Sequence, residues 1–322
     1  MDAQQLVASA QHVLLTHVRQ MREGAIREAS FFTELEEAVT WRHEVSQSSH
    51  PLQYLPALTC WAAHGDLHRT VPFIATWQVV RRAAKSFDDI EDGESQRSAR
   101  AINVAVGTLT LAHHLLAWEH SISDMREIQE ALGAHILQAC SGQHDDLRYQ
   151  AFPHTMKLDP QGWLAIAQNK SGKLLSWACW AGAHCASAPR ETERALRTYG
   201  ESVGVLLQLA DDYCDFWGSR RKVDKPPVTS LPLVYGRYVA PSHIDAWGQE
   251  FPKSVLPDEA QMHRLGLLLE QLGAKRYMNV VAEQVQAQAK ATLTDVKLNP
   301  DARKELESLV DRIWLGPHRL PV

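Results

Sequence analysis

The spacing of apolar residues constrains this chain to helices. Apolar side chains recur at the three- and four-residue intervals of an amphipathic helix, as at Leu6, Ala10, Val13 and Leu14. The sequence contains no convincing run of alternating β-branched residues, which is the pattern of a half-buried strand. Proline and glycine fall mostly between the periodic segments and divide the chain into a series of about ten helices. The sequence therefore predicts an all-α fold, a single large helical bundle over residues 1–322.

Composition and charge exclude several classes of protein. The 322 residues are 45% hydrophobic and 22% charged, which is ordinary for a globular protein. A net charge of −5 and a pI near 6.3 leave no basic surface for nucleic acid, so we expect no such partner. The five cysteines show no CxxC spacing and indicate reduced thiols. We see no secretory signal and no apolar run of about 18 to 20 residues, and therefore expect a cytoplasmic protein without a membrane span.

Two clusters of carboxylates carry the main functional signal. They consist of Asp88, Asp89, Glu91 and Asp92 in KSFDDIEDGE, and of Asp211, Asp212 and Asp215 in QLADDYCDFWG. Residues four apart share one face of a helix, so Asp88 points the same way as Asp92. The same holds for Asp211 and Asp215. A solvated helix face tolerates such charge at a cost of about a few tenths of a kcal/mol, so either cluster alone is a weak signal.

The apolar surroundings of the second cluster make it harder to explain as a solvated face. It lies within VGVLLQLADDYCDFW, and carboxylates buried without a partner are costly, so they require a cation. Mg²⁺ fits because it takes oxygen ligands and binds one or two carboxylates together with substrate phosphates. Magnesium between two carboxylate faces would hold a diphosphate and neutralise it as a leaving group. Basic residues that could complete such a site are Arg97, Lys170, Lys173, Arg220, Arg221, Lys222 and Lys225.

Five segments resemble motifs of the polyprenyl synthetase family, the trans-type isoprenoid synthases. DDIED (88–92) resembles the first aspartate-rich motif, and YGESVGVLLQLADDYCD (199–215) resembles the helix that carries the second. NKSGKLL (169–175) resembles a lysine motif that contacts diphosphate. SGQHDDL (141–147) resembles another recurrent segment, and TSLPLVYG (229–236) resembles the Thr-Leu-Pro segment. Their order and approximate spacing agree over most of the chain.

The resemblance implies a bundle around a deep central cavity, a homodimer, three Mg²⁺ ions and an allylic prenyl diphosphate as substrate. The implied metal ligands are Asp88, Asp89, Asp92, Asp211, Asp212 and Asp215. The implied diphosphate ligands are Arg97, Lys170, Lys173, Gln208 and Lys225. Among all of these, the implied catalytic residues are Asp88, Asp92, Asp211 and Lys170.

The chain departs from the family where a second substrate, isopentenyl diphosphate, would bind. In the family a Gly-Lys-Arg-x-Arg-Pro segment serves that site, and here the matching stretch is PLQYLP (51–56). Leu52, Gln53 and Leu55 stand in place of the lysine and both arginines. An anion is poorly held without cations. The sequence therefore predicts ionisation without chain elongation, as in a terpene synthase or cyclase.

Alternatives remain open. The chain could be an elongating synthase whose acceptor site is rebuilt by other cations, for which His50, Arg81, Arg82 and Lys85 are candidates. It could also transfer the prenyl group to a non-isoprenoid acceptor, or serve as a weakly active partner subunit, although such subunits usually lose aspartates. The residues that would line the pocket for the prenyl tail are Trp77, Ala83, Ala84 and Phe87. The two small residues favour a C15 or C20 substrate, whereas the tryptophans of this chain are also typical core residues.

Overall fold

The protein is helical throughout the part that the structure, a computed structural model, describes. The described residues are 2–23, 30–40, 50–91, 98–118, 124–151, 157–218, 228–249 and 258–314. Within these ranges the regular elements are α-helices, two short 3-10 turns and one π-helical turn. The predicted all-α fold is confirmed.

The chain divides into two compact units. Unit 1 comprises Met1–Gly133, Trp177–Leu196 and Lys297–Glu305. Unit 2 comprises Ala134–Ser176, Arg197–Val296 and Leu306–Val322. The prediction of one domain over the whole chain stays a prediction.

Five helices lie wholly in unit 1: α1 (Ala3–Glu23), α2 (Ser30–Val39), α3 (Leu55–Ala62), α4 (Val71–Glu91) and α5 (Ser98–Trp118). Five lie wholly in unit 2: α7 (Pro160–Ala167), α10 (Leu231–Val239), α11 (Pro241–Gln249), α12 (Glu259–Gln271) and α13 (Ala274–Thr294). The remaining four have residues in both units: α6 (Met125–Ala151), α8 (Lys173–Cys185), α9 (Arg190–Trp217) and α14 (Pro300–Ile313).

Helix α4 organises unit 1, where it packs against α1 and α5. Its middle is apolar and buried, and two of its polar side chains fasten the 3-10 turn Pro51–Tyr54 that precedes α3. The indole N–H of Trp77 donates to the carbonyl of Leu52 at 2.6 Å, and the side-chain amide of Gln78 donates to the carbonyl of Gln53. The turn that matches the family's acceptor segment is therefore held directly against α4.

A π-helical turn, Gln168–Gly172, connects α7 to α8 in unit 2 and carries most of the lysine motif. Such a turn contains an extra residue and rarely forms unless neighbouring structure stabilises it. Here α9 lies directly against it: a Cβ built on Gly204 would come within 2.5 Å of Gly172 Cα and 2.7 Å of the Ser171 carbonyl carbon. Glycine at position 204 is what permits this approach.

None of the helices within the described ranges is both long and apolar enough to cross a membrane.

The first prediction concerns this close approach. Gly204→Ala places a methyl group against backbone that cannot move away easily, so we expect the free energy of unfolding to fall by about 1–3 kcal/mol. Gly266→Ala in α12 is the matched control, because its Cβ would meet no atom nearer than 3.5 Å. Alanine is the better helix former, so the control is expected to be neutral or stabilising by up to about 1 kcal/mol. Urea unfolding measures both, and equal stability of the two variants would contradict the packing described.

Candidate active site

The first acidic motif lies in the last turn of α4, in unit 1. Lys85 pairs with Asp89 and lies 3.8 Å from Asp88, so one ammonium group faces two carboxylates of the same turn. The side chains of both aspartates are 35% exposed, which leaves them accessible to a ligand from solvent. Asp92 and Arg97, which the sequence assigns to the same motif, lie outside the described residues.

The residues predicted to line the prenyl pocket differ in their burial. Trp77 and Ala83 are buried in unit 1, Ala84 is exposed, and Phe87 is partly buried. Trp77 donates a hydrogen bond to Leu52, so it has a structural role in addition to any contact with substrate. A wall formed by these four residues stays a prediction.

The second acidic motif lies near the end of α9, in unit 2, where its three aspartates have different surroundings. Asp211 is exposed, Asp215 is partly buried, and Asp212 is 6% exposed. Burial raises the pKa of Asp212 well above its ordinary value, and the neighbouring Asp215 and Asp211 add to this. Hydrogen bonds oppose the shift because they favour the charged carboxylate.

The hydrogen bonds to Asp212 come from two segments. The backbone N–H of Leu231 donates to Oδ2 at 2.6 Å, and the amide of Gln208 donates to Oδ1 at 3.5 Å. Gln208 in turn accepts from the hydroxyl of Ser171 at 3.4 Å. A continuous polar chain therefore joins the π-helical turn to α9 and to the start of α10.

The two lysines of the lysine motif have separate partners. Lys170 Nζ lies 3.1 Å from Asp146 Oδ2 on α6, and the two side chains are only 23% and 13% exposed. Lys173 Nζ lies 2.6 Å from Glu201 Oε1 on α9. Glu201 borders a different cavity, of about 190 Å³, from the one that Lys170 lines. The structure therefore does not bring Lys173 to the cavity of Lys170, and the predicted ligand Lys225 lies outside the described residues.

A small cavity of about 30 Å³ in unit 2 collects most of the polar groups just described. It is lined by Asp146, Trp163, Ile166, Ala167, Lys170, Gln208, Asp212 and Thr229. Five of its residues were absent from the predicted site: Asp146, Trp163, Ile166, Ala167 and Thr229. The segments SGQHDDL and TSLPLVYG contain Asp146 and Thr229 and could have indicated them, whereas nothing in the sequence distinguishes Trp163 from a core tryptophan.

The side chains of the two motifs fit magnesium by their chemistry. Among the described residues no group of three or more His, Cys, Asp or Glu side chains is arranged to hold a metal by itself. Mg²⁺ does not require such a cage, because it keeps several waters and binds through one or two carboxylates together with substrate phosphates. The accessible carboxylates of Asp88 and Asp89 on α4, and those of Asp211 and Asp215 on α9, meet that requirement.

Comparison with known proteins supports the family resemblance. The profile of the family "Polyprenyl synthetase" matches residues 78–231. A short chain isoprenyl diphosphate synthase from Methanocaldococcus jannaschii is 27% identical over 184 residues, which are 54% of this chain and 55% of that protein. A (2E,6E)-farnesyl diphosphate synthase from Mycobacterium tuberculosis is 28% identical over 184 residues, 53% of this chain and 49% of that protein. The chain thus spans about half the length of these curated relatives.

A solved structure agrees over a larger part of the chain. The geranylgeranyl pyrophosphate synthase of Corynebacterium glutamicum, solved with isoprenyl diphosphate and magnesium, superposes with a TM-score of 0.78. The superposition covers 97% of this chain and 99% of that one at 17% identity, so it demonstrates the fold alone. The profile match over residues 78–231 and the matched motifs on α4 and α9 agree with the resemblance of this chain to the polyprenyl synthetase family.

Proposed function

We propose that the protein is a Mg²⁺-dependent prenyltransferase that ionises an allylic prenyl diphosphate and joins the prenyl group to a second prenyl diphosphate. The relatives named above are isoprenyl, farnesyl and geranylgeranyl diphosphate synthases, and they favour chain elongation over the cyclisation expected from PLQYLP. The observation in this chain that carries the proposal is the cation Arg81, which lies over the ring of Trp77, the side chain that bonds to the turn where the family's cations are missing.

Ionisation would depend on both acidic motifs. Asp88 and Asp89, with Asp92 from the sequence pattern, and Asp211 with Asp215 would hold magnesium, which neutralises the leaving diphosphate when bound. Lys170 would contact the diphosphate oxygens, and its ion pair with Asp146 holds the ammonium group at the small cavity until substrate arrives. Roles for Arg97 and Lys225 in binding the same diphosphate rest on the sequence pattern.

Arg81 has the position and the capacity to hold a second anion. Its guanidinium lies 5.8 Å from the ring centre of Trp77, whose indole is bonded to Leu52. Within the described residues Arg81 makes no ion pair and no hydrogen bond, although a guanidinium has five N–H donors. Burial, and to a lesser degree Arg82, lowers the pKa of Arg81 to about 10, so the group remains charged at neutral pH.

The neighbouring cations of α4 are engaged elsewhere. Arg82 donates to the carbonyl of Ala38 at 2.8 Å, and Lys85 pairs with the first acidic motif. Arg81 and Asp88 are seven residues apart on one continuous helix, which places them on nearly the same face and about 10 Å apart along the axis. An anion held by Arg81 would therefore lie on the same side of α4 as the carboxylates that hold magnesium.

A terpene synthase acting on a C15 or C20 allylic diphosphate is the second candidate. Leu52 and Leu55 favour it, because they are 5% and 0% exposed and fill with apolar side chains the positions where the family has cations. In this case the carbocation would be quenched by its own double bonds or by water. Ionisation is common to the two candidates, and the product distinguishes them.

The second prediction tests the acceptor. With Mg²⁺, an allylic diphosphate and isopentenyl diphosphate, we expect products longer by five-carbon units, measured by mass spectrometry. Arg81→Gln removes charge-assisted hydrogen bonds of about 1.5–3 kcal/mol in total, so KM for isopentenyl diphosphate should rise roughly 10- to 150-fold. Arg82→Gln is the control, since its guanidinium serves the Ala38 carbonyl, and it should lower stability without that rise in KM. Products with the same carbon number as the allylic substrate would contradict elongation and support the terpene synthase.

The third prediction concerns Lys170. Asp146→Asn removes the carboxylate that orients the ammonium group, and kcat/KM for diphosphate release should fall by about 10-fold or more, equivalent to at least 1.4 kcal/mol. Asp145→Asn is the matched control, because Asp145 is 42% exposed and lies 3.5 Å from Arg148 at the surface. Exposed ion pairs contribute about 0–1 kcal/mol, so the control should resemble wild type. Equal values of kcat/KM in the two variants would show that Asp146 does not orient Lys170 for diphosphate release.

The fourth prediction concerns the metal. EDTA should abolish diphosphate release and excess Mg²⁺ should restore it, because the carboxylates of α4 and α9 cannot hold a diphosphate without a cation. Asp88→Ala should abolish release as well while the far-ultraviolet circular dichroism stays helical. Full turnover in chelator would exclude magnesium from the reaction.

A further inference from the structure

Helix α10 has no side-chain cap of its own. Its N-cap residue is Ser230, whose hydroxyl makes no capping hydrogen bond to the first turn. The first backbone N–H groups of a helix have no partner within it and carry partial positive charge. Leu231, the first residue of α10, donates its N–H to Asp212 Oδ2 at 2.6 Å, and both residues are buried. A carboxylate on α9 thus accepts a hydrogen bond from a backbone N–H group at the start of a different helix, α10.

The other oxygen of the same carboxylate holds Gln208. Gln208 Nε2 donates to Asp212 Oδ1, while Gln208 Oε1 accepts from Ser171 in the π-helical turn. This leaves the amide of Gln208 with a defined orientation at the small cavity of unit 2. Thr229, two residues before Leu231, lines the same cavity. One buried carboxylate therefore fixes two separate parts of the cavity wall.

Asp212 differs in its exposure to solvent from the neighbours that the motif groups with it. Asp211 is exposed and Asp215 is partly buried, and the two share a helix face because they are four residues apart. Asp212 is rotated away from that face by about 100° of helical turn. With both oxygens accepting hydrogen bonds inside the protein, it lacks the exposure that the other two retain.

We propose that Asp212 is a positioning residue and not a magnesium ligand: it caps α10 from α9 and orients Gln208 and Thr229 toward the bound diphosphate. The proposal rests on the proposed function, since it assigns a role within the same site. It divides the second acidic motif into two metal-binding residues, Asp211 and Asp215, and one residue that shapes the wall around the substrate.

The experiment compares Asp212→Asn with Asp211→Asn in the full-length protein. An asparagine at 212 removes the charge and keeps one oxygen that can accept from Leu231, while an NH2 donor takes the place of the oxygen that accepts from Gln208. The Mg²⁺ concentration for half-maximal diphosphate release should therefore change by no more than about twofold in Asp212→Asn, whereas loss of a ligand in Asp211→Asn should raise it by about tenfold or more. A shift of similar size in both variants would make Asp212 a ligand and overturn the proposal.

A double-mutant cycle tests the positioning itself. Asp212→Ala should raise KM for the allylic diphosphate more than Asp212→Asn does, because alanine accepts no hydrogen bond. If Asp212 acts through Gln208, then Gln208→Ala should add little to the KM of Asp212→Ala, whereas independent residues would give additive effects. Additive effects, or wild-type KM in Asp212→Ala, would overturn the proposal.

Failure of the proposed function has a different signature. If Asp211→Asn and Asp215→Asn also leave the Mg²⁺ dependence unchanged, the motif holds no metal and the proposed function fails. Mn²⁺ binding followed by electron paramagnetic resonance in the presence of inorganic diphosphate gives a readout without turnover. Asp212→Asn should retain that binding and Asp211→Asn should lose most of it. Loss of Mn²⁺ in Asp212→Asn alone would overturn the positioning role.

Discussion

Backbone contact between the π-helical turn and α9 is the constraint on which the candidate site of unit 2 depends. Gly204 lets α9 lie against Gly172 without an intervening side chain. This brings the Ser171 hydroxyl to within 3.4 Å of Gln208. The same turn holds Lys170 beside Asp146 of α6. A methyl group between these two backbones would separate the Ser171 hydroxyl from Gln208, so this polar contact depends on glycine at position 204.

The three carboxylates of the second motif differ in how deeply they are buried. A buried carboxylate persists only where hydrogen bonds replace water, and Asp212 has such bonds from Leu231 and Gln208. Asp211 keeps solvent instead, and with it the ability to exchange water for a metal ion. Residues adjacent in one acidic motif therefore have different surroundings, because successive positions on a helix point about 100° apart.

The turn Pro51–Tyr54 and the following Leu55, in unit 1, allow two interpretations of the acceptor site. Leu52 and Leu55 are packed as core residues, and from the sequence they indicate loss of an acceptor site. The structure adds that this turn is bonded to α4 through Trp77, and that the guanidinium of Arg81 lies 5.8 Å from the ring centre of the same tryptophan. The relatives are isoprenyl and farnesyl diphosphate synthases, and Arg81 is the cation on which the elongation proposed for this chain depends.

The sequence by itself determined the helical class, the resemblance to the polyprenyl synthetase family, and the helices that carry the acidic and lysine motifs, because periodicity and motif spacing are local properties. It identified Lys170, Gln208 and the aspartates as candidates, but it could not rank them. Only the tertiary structure decided that Lys173 pairs with Glu201, and that Asp212 caps a helix beginning 19 residues later. It also decided that Trp163 lines the cavity. These outcomes depend on which helices pack against each other. The periodicity of apolar residues in one helix shows which of its faces is buried, but it does not identify the helix that covers that face.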